Sequence, residues 1–312
     1  MLSVIVPAYN EGGMIEKTAD TISEILQKAG IVFEIIFVND GSKDDTWSQI
    51  KQKSEMDNRI RGVCFSRNFG KEAAMFAGMK ACKGECCVLI DCDLQHPPQK
   101  IVEMYKLWEK GYEIIEAVKT DRGEESILHT ICAKAFYAII SKVTQIDMSH
   151  ASDFKLLDRK AITVLLNMKE KNAFFRALSS WIGFKTIQVE FEVQERTVGE
   201  SKWSTWSLVK YAISNVSSFS ALPMQIVTVL GVLMFIATVI LGIVALYQKI
   251  VGIALEGFTT VILLQLFTGS IVMISLGIIG YYISKIYDEI KARPRYIVSE
   301  LCGEYDGNKE II

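Results

Sequence analysis

Two long uncharged runs in the second half of the chain constrain its fold most strongly. They cover residues 226–246 and 261–282, and Lys249 and Glu256 are the only charged residues between them. Each run has about twenty residues, the length that an α-helix needs to cross the apolar layer of a bilayer. A buried helical hairpin in a soluble protein is the alternative. The runs predict two transmembrane helices within residues 223–284.

The charges that flank these runs predict the orientation of the chain. Lys202 and Lys210 precede the first run. The cations that follow the second run are Lys285, Lys291, Arg293 and Arg295. Because Lys and Arg are enriched on the cytoplasmic side of membrane proteins, residues 1–200 and a tail at 285–312 are both expected in the cytosol. Residues 201–222 combine Trp and Tyr with apolar side chains, which predicts an amphipathic helix at the membrane interface.

Residues 1–200 alternate between apolar runs typical of strands and segments typical of helices. The predicted strands are 2–7, 33–38, 62–66, 86–90 and 112–118. This alternation predicts an α/β sheet with right-handed crossovers. The chain has no G-x-G-x-x-G after its first strand and no G-x-x-x-x-G-K-[ST], which disfavours a dinucleotide-binding Rossmann domain and a P-loop NTPase.

Polar residues with separate predicted roles follow the first two predicted strands. Asn10 is expected to cap the first helix, and Ser42 with Asp45 three residues later matches a capping box for the second. Asp40 has another role, because it ends the second strand on the side of the sheet where ligands bind.

The fourth predicted strand leads directly into Asp91 and Asp93. Side chains two residues apart in an extended segment share a face, so the two carboxylates converge. Such a pair repels unless a cation lies between, and Mg²⁺ binds one or two carboxylates together with phosphates of a substrate. The pattern indicates a site for a nucleotide diphosphate. The alternative is that the aspartates only open a turn, with Asp93 capping the helix that begins near Pro97 and Pro98.

The composition disfavours a nucleic-acid-binding protein, a zinc protein and a secreted protein. The formal net charge of −2 argues against bulk nucleic-acid binding. Seven cysteines are an odd number without a C-x-x-C pair, and Cys86 and Cys87 point to opposite faces of a strand, which disfavours a zinc cluster with Cys82 and Cys92. Reduced, buried thiols in the cytosol are expected. The apolar start before Ser3 is too short for a cleavable signal peptide.

Several motifs together carry a family resemblance. They are V-I-V-P-A-Y-N-E at 4–11, V-N-D-G-S at 38–42, S-R-N-F-G-K-E-A-A at 66–74, D-C-D-L-Q at 91–95, R-T-V-G-E-S-K-W at 196–203, and residues 287–296. The chain resembles the family 2 glycosyltransferases of the polyisoprenyl-phosphate type over almost its whole length. It is most similar to the bactoprenol (undecaprenyl phosphate) glucosyltransferases, and more distantly to dolichol-phosphate mannose synthases.

The resemblance implies a GT-A nucleotide-sugar-binding domain and assigns roles to individual residues. The positions that match those for base and ribose are Pro7, Tyr9, Glu11 and Asp40. Asp91, Asp93 and Gln95 match the positions for Mg²⁺ (or Mn²⁺) and the diphosphate. Asp153 matches a position that orients the sugar or acceptor, or acts as general base. Arg196 and Lys202 match a loop that closes on the phosphates, and Arg122 and Lys134 are further candidates for the lipid phosphate.

The implied reaction is inverting transfer of a hexose from a UDP-sugar to a polyprenyl phosphate at the cytosolic face of the cell membrane. Glucose is favoured, whereas N-acetylglucosamine, mannose and aminoarabinose remain open, as does homo-oligomer formation. A processive polysaccharide synthase is an alternative, but Ser179, Ser180 and Trp181 do not supply its Q-x-x-R-W element. A non-catalytic membrane scaffold would have no need of Asp91, Asp93 and Asp153.

Overall fold

The computed structural model describes residues 1–119, 152–168, 175–191, 222–252 and 257–305. In chain order, its elements are β1 (Leu2–Ala8), α1 (Gly12–Lys28), β2 (Phe33–Asn39), α2 (Thr46–Met56), β3 (Ile60–Phe65), α3 (Lys71–Ala81), β4 (Cys86–Leu89), α4 (Lys100–Glu109), β5 (Ile114–Lys119), β6 (Lys155–Asp158), α5 (Arg159–Asn167), α6 (Phe175–Trp181), β7 (Thr186–Phe191), α7 (Leu222–Val251), α8 (Phe258–Ile290) and β8 (Val298–Cys302).

The described strands form one mixed sheet of eight, in the order β7-β5-β6-β4-β1-β2-β3-β8. β1 lies parallel to β2 and β4, and β3 continues the parallel series beyond β2. β6 is antiparallel to both neighbours, β4 and β5, and β8 is antiparallel to β3. The α/β order predicted for the first five strands is confirmed, and the antiparallel additions make the sheet mixed.

The centre of the sheet is buried because helices cover it, as is usual for parallel strands. All seven residues of β2 and all six of β3 are buried. α1 buries an apolar stripe at helical spacing, which includes Ile15, Ala19, Ile22 and Leu26. This packing explains why the strands appear in the sequence as continuous apolar runs.

Two side chains that were expected to cap helices instead tie neighbouring loops together. Asn10 has a φ of 55°, and its Oδ1 accepts a hydrogen bond from the backbone N–H of Lys43 at 2.9 Å. Ser42 Oγ accepts from the backbone N–H of Asn10 at 2.9 Å. α1 begins at Gly12 and α2 at Thr46, and neither N-cap side chain caps its helix. Both capping predictions are wrong, because β1 and β2 end side by side and bring the two loops within reach of these short polar side chains.

The sheet gains its last strand from the end of the chain. In β8, Cys302 lies opposite Gly62 of β3, and the hydroxyl of Tyr305 donates to the Gly62 carbonyl at 3.1 Å. The segment that we expected to be a cytosolic tail, 285–312, therefore contains an edge strand of the sheet. Pairing with β3 satisfies backbone groups that would otherwise form an open edge.

A second compact unit, residues 206–293, contains α7 and α8. Exposed apolar side chains on these helices include Phe235, Ile243, Met273 and Ile283. Within the described residues, one stretch is long and apolar enough to cross a membrane, the 21 residues Phe267–Tyr287 of α8. The apolar stretch of α7, Val229–Val244, is shorter. The predicted interfacial helix, 201–222, lies outside the described residues except for Leu222.

Candidate active site

Acidic residues from distant parts of the chain meet at one end of the sheet. β1, β2 and β4 run parallel, so their carboxyl ends lie together. Asp40 directly follows β2, and Asp91 comes two residues after β4. Because β6 runs in the opposite direction, the residue Asp153 that precedes it lies at the same end.

Lys71, the first residue of α3, joins two of these carboxylates. Its Nζ lies 2.6 Å from Oδ1 of Asp91 and 3.0 Å from Oδ2 of Asp153. Burial lowers the pKa of Lys71, but the two carboxylates outweigh burial and hold that pKa above its ordinary value. Burial raises the pKa of Asp91, and the charge of Lys71 more than compensates, so the pKa of Asp91 is lowered. The three groups therefore form a charged cluster at neutral pH.

Arg176 in α6 binds Asp153 through both carboxylate oxygens. Its Nε donates to Oδ1 at 2.7 Å and its Nη2 to Oδ2 at 2.9 Å. A two-point pair of this kind fixes the orientation of a carboxylate. Burial alone would raise the pKa of Asp153, but Lys71 and Arg176 hold it far below its usual range. A carboxylate with so low a pKa is a weak proton acceptor, which favours a positioning role over that of a general base.

A buried ion pair supports the segment that carries Asp153. Lys155 Nζ lies 2.9 Å from Oε1 of Glu116 and donates to Oγ of Ser179 at 2.8 Å. The same Glu116 oxygen accepts from the backbone N–H of Ser152 at 3.1 Å. Breaking a buried pair leaves an uncompensated charge and is costly. This pair therefore holds β5, β6 and α6 in a fixed arrangement around Asp153.

The residues after Asp91 form a tight turn. Oδ1 of Asp93 accepts from the backbone N–H of Gln95 at 3.1 Å, and Leu94 between them has a φ of 56°. α4 begins only at Lys100. The alternative in which Asp93 caps that helix is therefore wrong, because the turn separates them. Asp93 does organise the turn, and the assignment of Asp91, Asp93 and Gln95 to a metal remains a prediction.

His96 lies in the wall of the site beside Asp91. Its Nδ1 is 3.8 Å from Oδ2 of Asp91, and this buried atom has no hydrogen-bond partner among the described residues. The imidazole packs against Phe154 and Phe191, with ring centroids 5.1 and 5.5 Å away. Burial lowers the pKa of His96, although Asp91 opposes the shift. The ring is therefore neutral at pH 7.

Asp40 anchors the loop that leads to Lys71. Its buried carboxylate accepts from the backbone N–H groups of Phe69 at 2.6 Å and Gly70 at 2.9 Å. Burial raises the pKa of Asp40, although these two hydrogen bonds oppose the shift. The other residues expected at the nucleotide lie in β1 or directly after it, namely Pro7, Tyr9 and Glu11. Their contacts to base and ribose remain predictions.

The donor atoms at this end of the sheet fit a hard divalent cation. Asp91 and Asp93 offer carboxylate oxygens, and Nδ1 of His96, which has no hydrogen-bond partner in the described parts of the chain, lies 3.8 Å from Asp91. Among the residues that the structure describes, no three His, Cys, Asp or Glu side chains are grouped to hold a metal by themselves. Mg²⁺ takes one or two carboxylates from a protein and leaves its other positions to water and substrate phosphates, so Asp91 and Asp93 would be sufficient carboxylate ligands for it.

We did not predict the two basic residues that contact these carboxylates, Lys71 and Arg176. Four predicted cations lie outside the described parts of the chain, namely Arg122, Lys134, Arg196 and Lys202. Lys71 and Arg176 were missed. Lys71 belongs to the S-R-N-F-G-K segment that carries the family resemblance, so a signal was present. Arg176 has no local signal, because folding alone brings it to Asp153 across 23 positions.

Comparison with known proteins identifies the family to which this chain, with its mixed sheet and acidic cluster, belongs. Residues 3–165 match Glycosyl transferase family 2, and the chain belongs to this family. It is a glycosyltransferase, and its mixed α/β sheet is the GT-A fold that the resemblance implied.

Relatives match nearly the whole chain. The uncharacterized glycosyltransferase YkcC of Bacillus subtilis (strain 168) is 39% identical over 303 residues, which are 96% of this chain and 94% of that protein. A prophage bactoprenol glucosyl transferase homolog of Escherichia coli (strain K12) is 34% identical over 302 residues, 96% of this chain and 99% of the homolog. The bactoprenol glucosyl transferase of Shigella phage SfX is 33% identical over 299 residues, 95% of this chain and 98% of that enzyme.

Proposed function

We propose that the chain transfers glucose from UDP-glucose to undecaprenyl phosphate, or a similar polyprenyl phosphate, with inversion at the anomeric carbon. The observation that carries this proposal is the similarity to bactoprenol glucosyl transferases along nearly the whole chain, the apolar helices included. The cluster of Asp91, Asp153, Lys71 and Arg176 supports it, because it places two carboxylates and two cations at the end of the sheet where a sugar diphosphate would lie.

The ionisation of the proposed acceptor phosphate is consistent with the lowered pKa of Asp153. A phosphate monoester is mostly ionised at neutral pH, since its second pKa is about 6. Such a nucleophile needs little help from a base. Asp153 would in any case be a weak base, because Lys71 and Arg176 lower its pKa. Asp153, held by Arg176, would instead orient the sugar or the acceptor for in-line displacement of UDP from the anomeric carbon.

The remaining site residues take roles that follow from their place and charge. Asp91, Asp93 and Gln95 would hold Mg²⁺ or Mn²⁺, which when bound would neutralise the charge of the leaving diphosphate. Asp40, with Pro7, Tyr9 and Glu11, would bind uracil and ribose. Arg196 and Lys202 would close on the phosphates, because a guanidinium fork suits paired phosphate oxygens. Arg122 and Lys134 are the further candidates for the lipid phosphate.

The membrane topology is part of the same proposal. The candidate span in α8 and the shorter apolar stretch in α7 support a two-helix hairpin within residues 223–284. Both termini would be cytosolic, with a short connection near 248–259 on the far side. A reporter enzyme fused after residue 312 should lie on the cytosolic side of the membrane, and its activity should be found there. Activity of that fusion outside the cell membrane would contradict the topology and the use of a cytosolic donor.

The reaction is tested directly in membranes from cells that express the chain. Radiolabelled UDP-glucose, UDP-N-acetylglucosamine and other nucleotide sugars are supplied separately, with and without added undecaprenyl phosphate. Label from UDP-glucose should enter the lipid fraction and increase with added lipid phosphate. Transfer from a different donor would reassign the sugar. Absence of lipid-soluble label from every donor, with the protein present and folded, would contradict the proposed function.

A further inference from the structure

Lys71 occupies the carboxylates that the proposed metal would need. Its Nζ is within hydrogen-bond distance of Asp91, a predicted metal ligand, and of Asp153 across the site. The side chain is 41% exposed, so solvent and ligands reach it. Asp40 holds the preceding residues Phe69 and Gly70 through their backbone N–H groups, which fixes the base of the lysine while its side chain remains long and flexible.

An ammonium group and a divalent cation compete for the same oxygens. Lys71 donates to Oδ1 of Asp91, and a cation bound to that carboxylate would lie close to Nζ if the lysine stayed in place. Two cations that bind the same carboxylate lie close together and repel each other strongly in a half-buried site. The lysine therefore has to leave Asp91 when a metal binds. It then needs another anion, and the diphosphate that accompanies the metal is the anion that arrives.

We propose that Lys71 is a tethered counter-cation that blocks the metal site until a nucleotide diphosphate binds; this inference rests on the proposed function. When the diphosphate binds, the ammonium group of Lys71 moves from Asp91 to the diphosphate. This exchange makes metal and nucleotide bind cooperatively. By thermodynamic linkage, nucleotide must raise the affinity for metal by the same factor by which metal raises the affinity for nucleotide. The site is therefore kept from holding a metal without its donor.

The test measures Mn²⁺ binding to the full-length protein in detergent, by electron paramagnetic resonance of free Mn²⁺, with and without UDP. The variants are Lys71→Met and Lys71→Gln, which remove the charge, and Lys71→Arg, which keeps it. Lys80→Met is the matched control, because Lys80 is an exposed lysine near the end of the same helix. Without UDP, both neutral variants should bind Mn²⁺ at least about tenfold more tightly than the parent, a typical size for coupling between sites.

The other variants and the effect of UDP separate this exchange from a general loss of charge. Lys71→Arg and Lys80→Met should bind Mn²⁺ as weakly as the parent. UDP should increase the affinity for Mn²⁺ more in the parent than in Lys71→Met, because only the parent has an ammonium group to move. Equal or weaker Mn²⁺ binding by both neutral variants without UDP would overturn the proposal. If neither neutral variant folds, a parent affinity for Mn²⁺ that UDP leaves unchanged would overturn it.

These measurements do not depend on sugar transfer, so the two proposals fail separately. A protein that shows the predicted Mn²⁺ affinities but transfers no sugar to lipid would contradict the proposed function. A protein that transfers glucose to undecaprenyl phosphate, while its neutral Lys71 variants bind Mn²⁺ like the parent, would contradict only the role of Lys71.

Discussion

The ring of Tyr296 stacks on the ring of Phe65, with centroids 4.9 Å apart and an angle of 12° between the planes. Phe65 in turn contacts Phe69 edge-on, at 5.7 Å between centroids. Tyr296 follows α8 in the chain, and the Ser66 N–H donates to the carbonyl of its neighbour Ile297 at 3.0 Å. A residue from the end of the chain thus supports the loop that leads to Lys71.

We predict that Tyr296→Ala loosens this loop and lowers activity. Loss of the half-buried ring should cost about 2 kcal/mol of stability, which corresponds to a fall of about 4–8 °C in the unfolding midpoint of a domain of this size. Hydrogen exchange should become faster in peptides that cover residues 66–70. Ile297→Ala is the control, because that side chain is 52% exposed. An unchanged exchange rate in Tyr296→Ala would show that the stacking does not support the loop.

Arg176→Ala should reduce turnover about a hundredfold, the size of loss expected when a reacting group is misplaced by about 1 Å. Asp153 would lose both hydrogen bonds that orient it. Steady-state rates of sugar transfer give the comparison. Arg59→Ala is the matched control, because Arg59 forms a similar two-point pair with Asp57 that is remote from the site. If the two variants retain equal activity, the Arg176 pair does not serve the reaction.

The low pKa of Asp153 predicts how its contribution to stability depends on pH. In the unfolded chain, this carboxyl takes up its proton near pH 4, whereas in the folded protein it does so at lower pH. Its contribution is therefore complete above about pH 5 and is lost progressively as the pH falls below about 4. The difference in unfolding free energy between the parent and Asp153→Asn should shrink over that range. A difference that is constant, or that grows in acid, would contradict the assignment.

Removal of the charge of either proposed carboxylate ligand should abolish transfer while the domain stays folded. Asp91→Asn and Asp93→Asn each replace a charged oxygen donor by a weaker neutral one. The far-ultraviolet circular dichroism and the unfolding midpoint report folding, and the transfer assay reports activity. Asp20→Asn, at an exposed aspartate of α1, is the control. Full activity of either variant after EDTA treatment would contradict a metal at these residues.

The sequence predicted the parts of the fold that rest on strong local patterns. The strands before residue 119 were recognisable because each is a continuous apolar run between helical segments, and the aspartates that follow β2 and β4 were recognisable because they end such runs. The positions of Asp40 and Asp91 at one end of the sheet follow from the parallel order of those strands. The resemblance added Asp153, which precedes a strand that the sequence pattern did not reveal.

The remaining features depend on contacts between distant residues. β8 is five residues long and gains its partner only from the edge of β3, so its local pattern is too short to distinguish it from a tail. Asn10 and Ser42 follow rules for helix caps, but the loop opposite each of them offered a better partner. Lys71 lies in a segment that carries the family resemblance, but its contact with Asp91 and Asp153, like that of Arg176 with Asp153, is formed only when the chain folds.

The most direct test of the proposed reaction is the anomeric configuration of the product that purified protein makes from UDP-glucose and undecaprenyl phosphate. UDP-glucose carries an α-linked glucose, and a single in-line displacement by the lipid phosphate inverts that linkage. Nuclear magnetic resonance of the isolated lipid should therefore show β-glucosyl phosphate, formed together with UDP. An α-linked product, or release of free glucose without a glycolipid, would contradict direct transfer to the lipid phosphate at this site.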